Sequence, residues 1–181
     1  MNLDEYQRLA LRTANIATYT EREIFTNACL GLIGETGEVA DIFKKTMFQG
    51  HALAPVHLVK ELGDVMWYAA LAVFSQKGDY GFSDAAEAAD DFFFNPSPSL
   101  PSEMTVFAMA QIAAGLSQEG LTGDQIIARC GQIVKCVEAL AIKHGSTLSA
   151  VMAANIAKLE NRYPGAKFNP ERSQHRKDGD I

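Results

Sequence analysis

Two pairs of carboxylates carry the clearest chemistry in this sequence. Glu35-Thr36-Gly37-Glu38 and Glu61-Leu62-Gly63-Asp64 each set two acids three residues apart. On a helix that spacing puts both side chains on one face. The turn between the pairs, Gln49 to Pro55, is short and favours antiparallel packing of two helices. If the two acidic faces meet, four carboxylates converge inside a bundle, where they repel one another unless protonated or filled by cations. Hard cations suit such a set, because Mg²⁺ takes oxygen ligands and also holds substrate phosphates, and Mn²⁺ is expected to substitute. The acids interrupt segments that otherwise read as core: Leu30, Leu32, Ile33, Val39 and Ile42 surround the first pair, and Leu58, Val59, Val65 and Met66 the second. The bland alternative is a solvated stripe of Glu35, Glu38 and Asp41 balanced by Lys44 and Lys45. A second pair on the adjoining helix, with Gly34, Gly37 and Gly63 permitting close approach, weighs against it.

Other residues fall into place around these four. Asn155, Lys158 and Arg162 follow at i, i+3 and i+7, one polar face suited to phosphate oxygens, with Arg162 able to grip them in bidentate fashion. Lys44 and Lys45 sit near a helix end that stabilises cations in any case, and Lys45 is a candidate phosphate contact. Trp67 and Tyr68 come three and four residues after Asp64, so at least one continues its face and offers a ring for a nucleobase; core packing is the competing role for Trp67. Phe25, Phe48 and Phe74 read as core, and Phe92-Phe93-Phe94 as an inter-helix or interface plug. His51 and His57 flank the turn between the acidic helices and read as structural or solvated.

The elements that must position these groups are helices. Apolar residues Leu3, Tyr6, Leu9 and Ala10 recur at helical spacing, and the segment ends near Thr18-Thr20. Further helices are expected over about 25–47, stopping at Gly50, and over about 55–77, with Pro55 in the first turn and Gly78 as the stop. Ser83 is the expected cap of a short helix over about 84–93. Asn95 to Pro101 is a loop, followed by helices over about 103–118, 122–144 and 147–162, the last ended by Tyr163-Pro164-Gly165. Strand-like alternation never lasts, so the fold class is all-α, an antiparallel helical bundle. Gly131-Gln132-Ile133-Val134 and Ala139-Leu140-Ala141 echo Gly63-Asp64-Val65-Met66 and Ala70-Leu71-Ala72. In that echo Arg129 and Gln132 stand where Glu61 and Asp64 stand, so the second half offers no acidic pair.

Gly31-Leu32-Ile33-Gly34-Glu35-Thr36-Gly37-Glu38-Val39-Ala40-Asp41, with Lys60-Glu61-Leu62-Gly63-Asp64-Val65-Met66-Trp67-Tyr68, resembles the MazG-like nucleoside triphosphate pyrophosphohydrolases. Ala154-Asn155-Ile156-Ala157-Lys158-Leu159-Glu160-Asn161-Arg162-Tyr163-Pro164, with Lys167-Phe168 beyond, resembles the closing segment of the same family. The resemblance implies an all-α fold like that of the NTP pyrophosphatases and Mg²⁺ held by Glu35, Glu38, Glu61 and Asp64. It also implies cleavage between the α and β phosphates, and homo-oligomers, dimers or dimers of dimers, with sites near subunit contacts. Two features depart from the pattern. Many members carry a further glutamate where this sequence has Gly34, and the closing segment comes late, so that 80–145 looks inserted or duplicated. The expected organisation is one catalytic domain over 1–168 and a polar tail over 169–181.

The bulk composition is compatible with this. The chain has 181 residues, 48% hydrophobic and 21% charged, enough for one domain with a sizeable core. A net charge of −6 argues against a nucleic-acid partner, which would call for a basic face. No apolar run reaches the roughly 18 residues of a membrane span, and Met1-Asn2-Leu3-Asp4-Glu5 lacks the start of a secretory signal. Cys29, Cys130 and Cys136 show no CxxC spacing and read as reduced thiols of a cytoplasmic protein. The expected reaction is metal-assisted attack of water on the α-phosphorus of a nucleoside triphosphate, with Glu38 or Glu35 as general base. A di-iron carboxylate bundle would need Glu-x-x-His pairs and an HD-type phosphohydrolase a His-Asp dipeptide, and both are absent. A non-catalytic helical interaction module fits the composition but leaves four aligned acids in apolar helices unexplained.

Overall fold

A computed structural model describes residues 1–76, 80–89 and 95–165. The expected stop at Lys77-Gly78, the Phe92-Phe93-Phe94 run, Lys167-Phe168 and the tail lie outside these residues. The described residues form helices and no strand: α1 (Leu3–Leu11), α2 (Glu21–Phe48), α3 (Pro55–Phe74), α4 (Phe82–Ala88), α5 (Ser102–Gly115), α6 (Gly123–Lys143) and α7 (Leu148–Arg162).

Local sequence explains most of the boundaries. Asn2 caps α1 by accepting from the Glu5 amide at 2.8 Å, and Thr147 caps α7 by accepting from the Ala150 amide at 3.1 Å. Thr20 and Glu23 form a reciprocal capping box, as do Thr122 and Gln125, each satisfying two otherwise orphaned amides. The first of these starts α2 at Glu21 rather than near Phe25, because Thr20 opens the second helix instead of closing the first. The short helix α4 is entered through Gly81, whose amide donates to Asp84 at 2.7 Å. Ser83 is therefore not its cap: its amide and hydroxyl both donate to Asp4, tying α4 to α1.

α2 and α3 run antiparallel along most of their length. Gly31 lies against Tyr68, and Glu35 against Glu61 and Asp64, so positions rise on one helix as they fall on the other. α5 packs on α2 and on α6, α6 on α3 and α4, and α7 on α3 and α1. A continuous buried cluster takes side chains from all seven helices, among them Tyr6, Leu32, Met66, Phe82, Met109, Ile133 and Val151. Burial at this scale, about 25 cal/mol per Å² of apolar surface, is what holds helices of modest propensity together. Cys29, Cys130 and Cys136 are buried and free, and burial pushes the Cys29 thiol up to about 11. Phe25 packs against the cluster, whereas Phe48 and Phe74, expected in the core, are exposed. Each is the last residue of its helix.

Candidate active site

Glu35 from α2 and Glu61 and Asp64 from α3 come together so that one oxygen from each lies within 4.8 Å of the others. Glu61 is only 3% exposed. His57, a turn earlier on the same helix, places its Nε2 2.9 Å from Glu61 Oε1. Burial and the nearby Asp64 raise the Glu61 carboxyl above its ordinary range, opposed by His57 and Lys158. Glu35 goes further: burial, with Asp64 and Glu61 adding repulsion, pushes its carboxyl up to about 7. Glu38 lines the same cavity but is not part of the triad.

Helix α7 closes the cluster from the other side. Lys158 donates to Asp64 Oδ2 at 2.6 Å and Asn155 donates to Asp64 Oδ1 at 3.1 Å. The Asn155 side-chain oxygen in turn accepts from the Tyr6 hydroxyl at 2.8 Å, a bond buried in the core. Burial first, and then the charge on Asp64, raise the Tyr6 phenol well above its usual value, so it stays a donor. α7 approaches this closely because Gly63 lacks a side chain: a Cβ there would lie 2.9 Å from Asn155 Cβ. Asn155 thus supports Asp64 from beneath rather than lining the cavity.

The cavity beside the acids has a volume of about 670 Å³. Lys158, Arg162, Trp67 and Tyr68 line it together with Glu35, Glu38, Glu61 and Asp64. Trp67 is held by its indole N–H donating to Ala10 O at 3.2 Å, and the Trp67 and Tyr68 rings meet edge to face at 4.8 Å. The Tyr68 ring lies flat on the backbone of α2 at Gly31, where a methyl group would overlap it. Lys45 is not brought to the cavity: with Lys44 it pairs with Asp41 on the exposed side of α2. Those two lysines, through their hydrogen bonds, hold the Asp41 carboxyl down to about 2. His51 is exposed and also stands apart. Sequence reasoning missed the remaining wall, Thr13, Asn15, Ile16 and Tyr19 from the α1–α2 connection and Asn27 from α2. It also missed Tyr6, which reads as ordinary core. Only the His57–Glu61 contact had a signal, the i, i+4 spacing.

Residues 25–91 match the profile of the MazG nucleotide pyrophosphohydrolase domain. Over this stretch the chain is MazG-like. The MazG-like segment contains all of α2 past its first turn, all of α3 and α4, and therefore both carboxylate pairs; the α7 residues Asn155, Lys158 and Arg162 lie beyond it. Comparison with curated proteins and with solved structures gave no match. The match supports a nucleotide pyrophosphohydrolase, and the donor set of the MazG-like segment fits the metal dependence of such enzymes. All three triad donors are carboxylate oxygens, the type hard divalent cations take. Burial first, and then repulsion from Asp64 and Glu61, raise the Glu35 carboxyl against the opposing charge of Lys158. No helix among the described residues is long and apolar enough to cross a membrane.

Proposed function

We propose that this protein hydrolyses a nucleoside triphosphate, ribo or deoxyribo, to the monophosphate and pyrophosphate with Mg²⁺ at the Glu35–Glu61–Asp64 triad. The observation that carries the reading is the single cavity joining that triad and Glu38 to Lys158, Arg162 and the Trp67–Tyr68 pair. The acids and cations suit a polyphosphate with its metal, and the aromatic rings suit a stacked base. Mg²⁺ held by Glu35, Glu61 and Asp64 would supply Lewis-acid stabilisation of phosphate charge and activation of water. Glu38, outside the triad yet on the same cavity, is placed to take the proton from the attacking water. Water oxygen adds to the α-phosphorus, the bond to the α–β bridging oxygen breaks, and pyrophosphate departs with the charge balanced by Lys158 and Arg162. Nucleotide-pool housekeeping in the cytoplasm is the role this activity fits.

The same reading includes self-association as a dimer or dimer of dimers. Leu30 on α2 is 67% exposed and Phe107 on α5 is 58% exposed, and neighbouring Ile33 and Met104 are exposed too, an apolar concentration suited to a second copy. Incubation with common triphosphates and Mg²⁺, with products resolved by ion exchange, tests the reaction. Pyrophosphate and a monophosphate are expected; orthophosphate with a diphosphate as first products would overturn the assignment.

A further inference from the structure

Both oxygens of Asp64 are engaged by α7: Lys158 donates to Oδ2 at 2.6 Å and Asn155 to Oδ1 at 3.1 Å. The Lys158 side chain is only 11% exposed, so this ion pair is sheltered from water and poorly screened. Its charge also acts on the other two acids, pulling Glu35 and Glu61 down against the burial that pushes them up. One lysine thus neutralises a share of three carboxylates. A dication entering the triad meets that ammonium at close range, and like charges at such separations repel strongly. Asn155 is fixed by Tyr6 behind it, but Lys158 carries its charge on a flexible four-carbon stem. Lys158 and Arg162 are one turn apart on α7 and line the same cavity. An ammonium that leaves Asp64 therefore remains where a triphosphate would lie.

We infer that Lys158 is an internal counter-ion of the metal-free triad, which must release Asp64 before a divalent cation is held firmly. Polyphosphate offers Lys158 its alternative partner, so metal and triphosphate bind cooperatively and each raises the affinity for the other by the same factor. The triad alone then holds a divalent ion weakly. Lys158 acts here as a positioning residue for the metal, in addition to any contact with phosphate. The inference rests on the triad being the metal site proposed above.

Mn²⁺ titration without nucleotide, followed by electron paramagnetic resonance at about pH 8.5 where carboxylates are ionised, tests it on the full chain. Lys158→Met is expected to bind Mn²⁺ at least about tenfold more tightly than the unaltered protein, because a competing cation is gone. Lys158→Arg keeps a cation and is expected to bind as weakly as the unaltered protein. The melting temperature of metal-free Lys158→Met should fall, and its rise on adding Mn²⁺ should be larger. Lys158→Gln, also neutral, serves if the Met variant does not fold. A merely structural or phosphate-binding lysine would leave the affinity for Mn²⁺ alone unchanged or reduced, and that result overturns the inference while leaving the metal site standing. Mn²⁺ binding that survives Asp64→Asn would overturn the metal site itself, and the inference with it.

Discussion

Glu35 gives the site a measurable pH signature. Its carboxyl is pushed up to about 7, first by burial and then by Asp64 and Glu61. A group whose folded value lies above its unfolded value contributes stability that is complete below the unfolded value and lost as pH rises through the folded one. The metal-free protein should therefore lose stability from the ordinary carboxylate range up to about pH 7, and Mg²⁺ should restore it most at the alkaline end. Glu35→Gln removes a buried negative charge without changing the shape of the side chain. It is expected to raise the melting temperature of the metal-free protein at alkaline pH, to flatten the pH dependence, and to abolish both the Mg²⁺-induced rise and turnover. Differential scanning calorimetry across pH, with and without Mg²⁺, checks this. A variant that melts like the unaltered protein in all four conditions would place Glu35 outside any metal site. The carboxylate spacing made the cluster legible in the sequence. The separation of Glu38 from the triad was not, since the i, i+3 pattern gives a shared face and not the rotamers or the tilt of the opposing helix.

At the scale of elements, the site depends on how closely α7 lies on α3. Gly63 sets that distance, and Asn155 and Lys158 reach Asp64 because of it. In Gly63→Ala the added methyl would fall 2.9 Å from Asn155 Cβ, so one helix must shift. Overpacking of this kind typically costs about 1–3 kcal/mol. The stability loss should come with a drop in kcat larger than the change in KM for triphosphate, because the metal-supporting contacts move while the aromatic rings stay. Urea unfolding and steady-state kinetics measure both; full stability with full turnover would show that the contact has slack. Helix ends with side-chain caps were legible, as at Thr122 and Thr147. The start of α2 was misjudged because Thr18-Thr20 suits a helix end and a helix start equally, and only the reciprocal bond with Glu23 decides between them. Lys45 was misplaced for a related reason. Helical position near the acids is not proximity to the cavity, and Asp41, four residues back, offered it a nearer partner.

For the whole molecule, the question is what 80–145 does. The helices of this stretch pack on those of the first half in chain order: α4 on α1, α5 on α2 and α6 on α3. A plain insertion would cap or lengthen the bundle, whereas a degenerate copy would lie beside the working half as a partner subunit does; we propose the copy. Such a copy carries no acidic pair at the echoed positions. Gln132, at the position of Asp64 in the sequence echo, is buried and donates to Ala89 O, and Arg129, at the position of Glu61, bonds to Gly115 O and to Gln118. A neutral amide and a cation supply neither the charge nor enough oxygen donors for Mg²⁺. The Gly-Gln-Ile-Val echo points to this pairing in the sequence, but a handful of small residues is shared by many amphipathic helices. Among the described residues Glu35, Glu61 and Asp64 form the one acidic group close enough to share a metal. The expected result is thus a single Mn²⁺ site per chain, however many chains sedimentation finds in the particle. Counting by electron paramagnetic resonance in the presence of a non-hydrolysable triphosphate measures it. Tight sites that persist after combined replacement of Glu35, Glu38, Glu61 and Asp64 would reveal a second cluster, and with it a working rather than a silent second half.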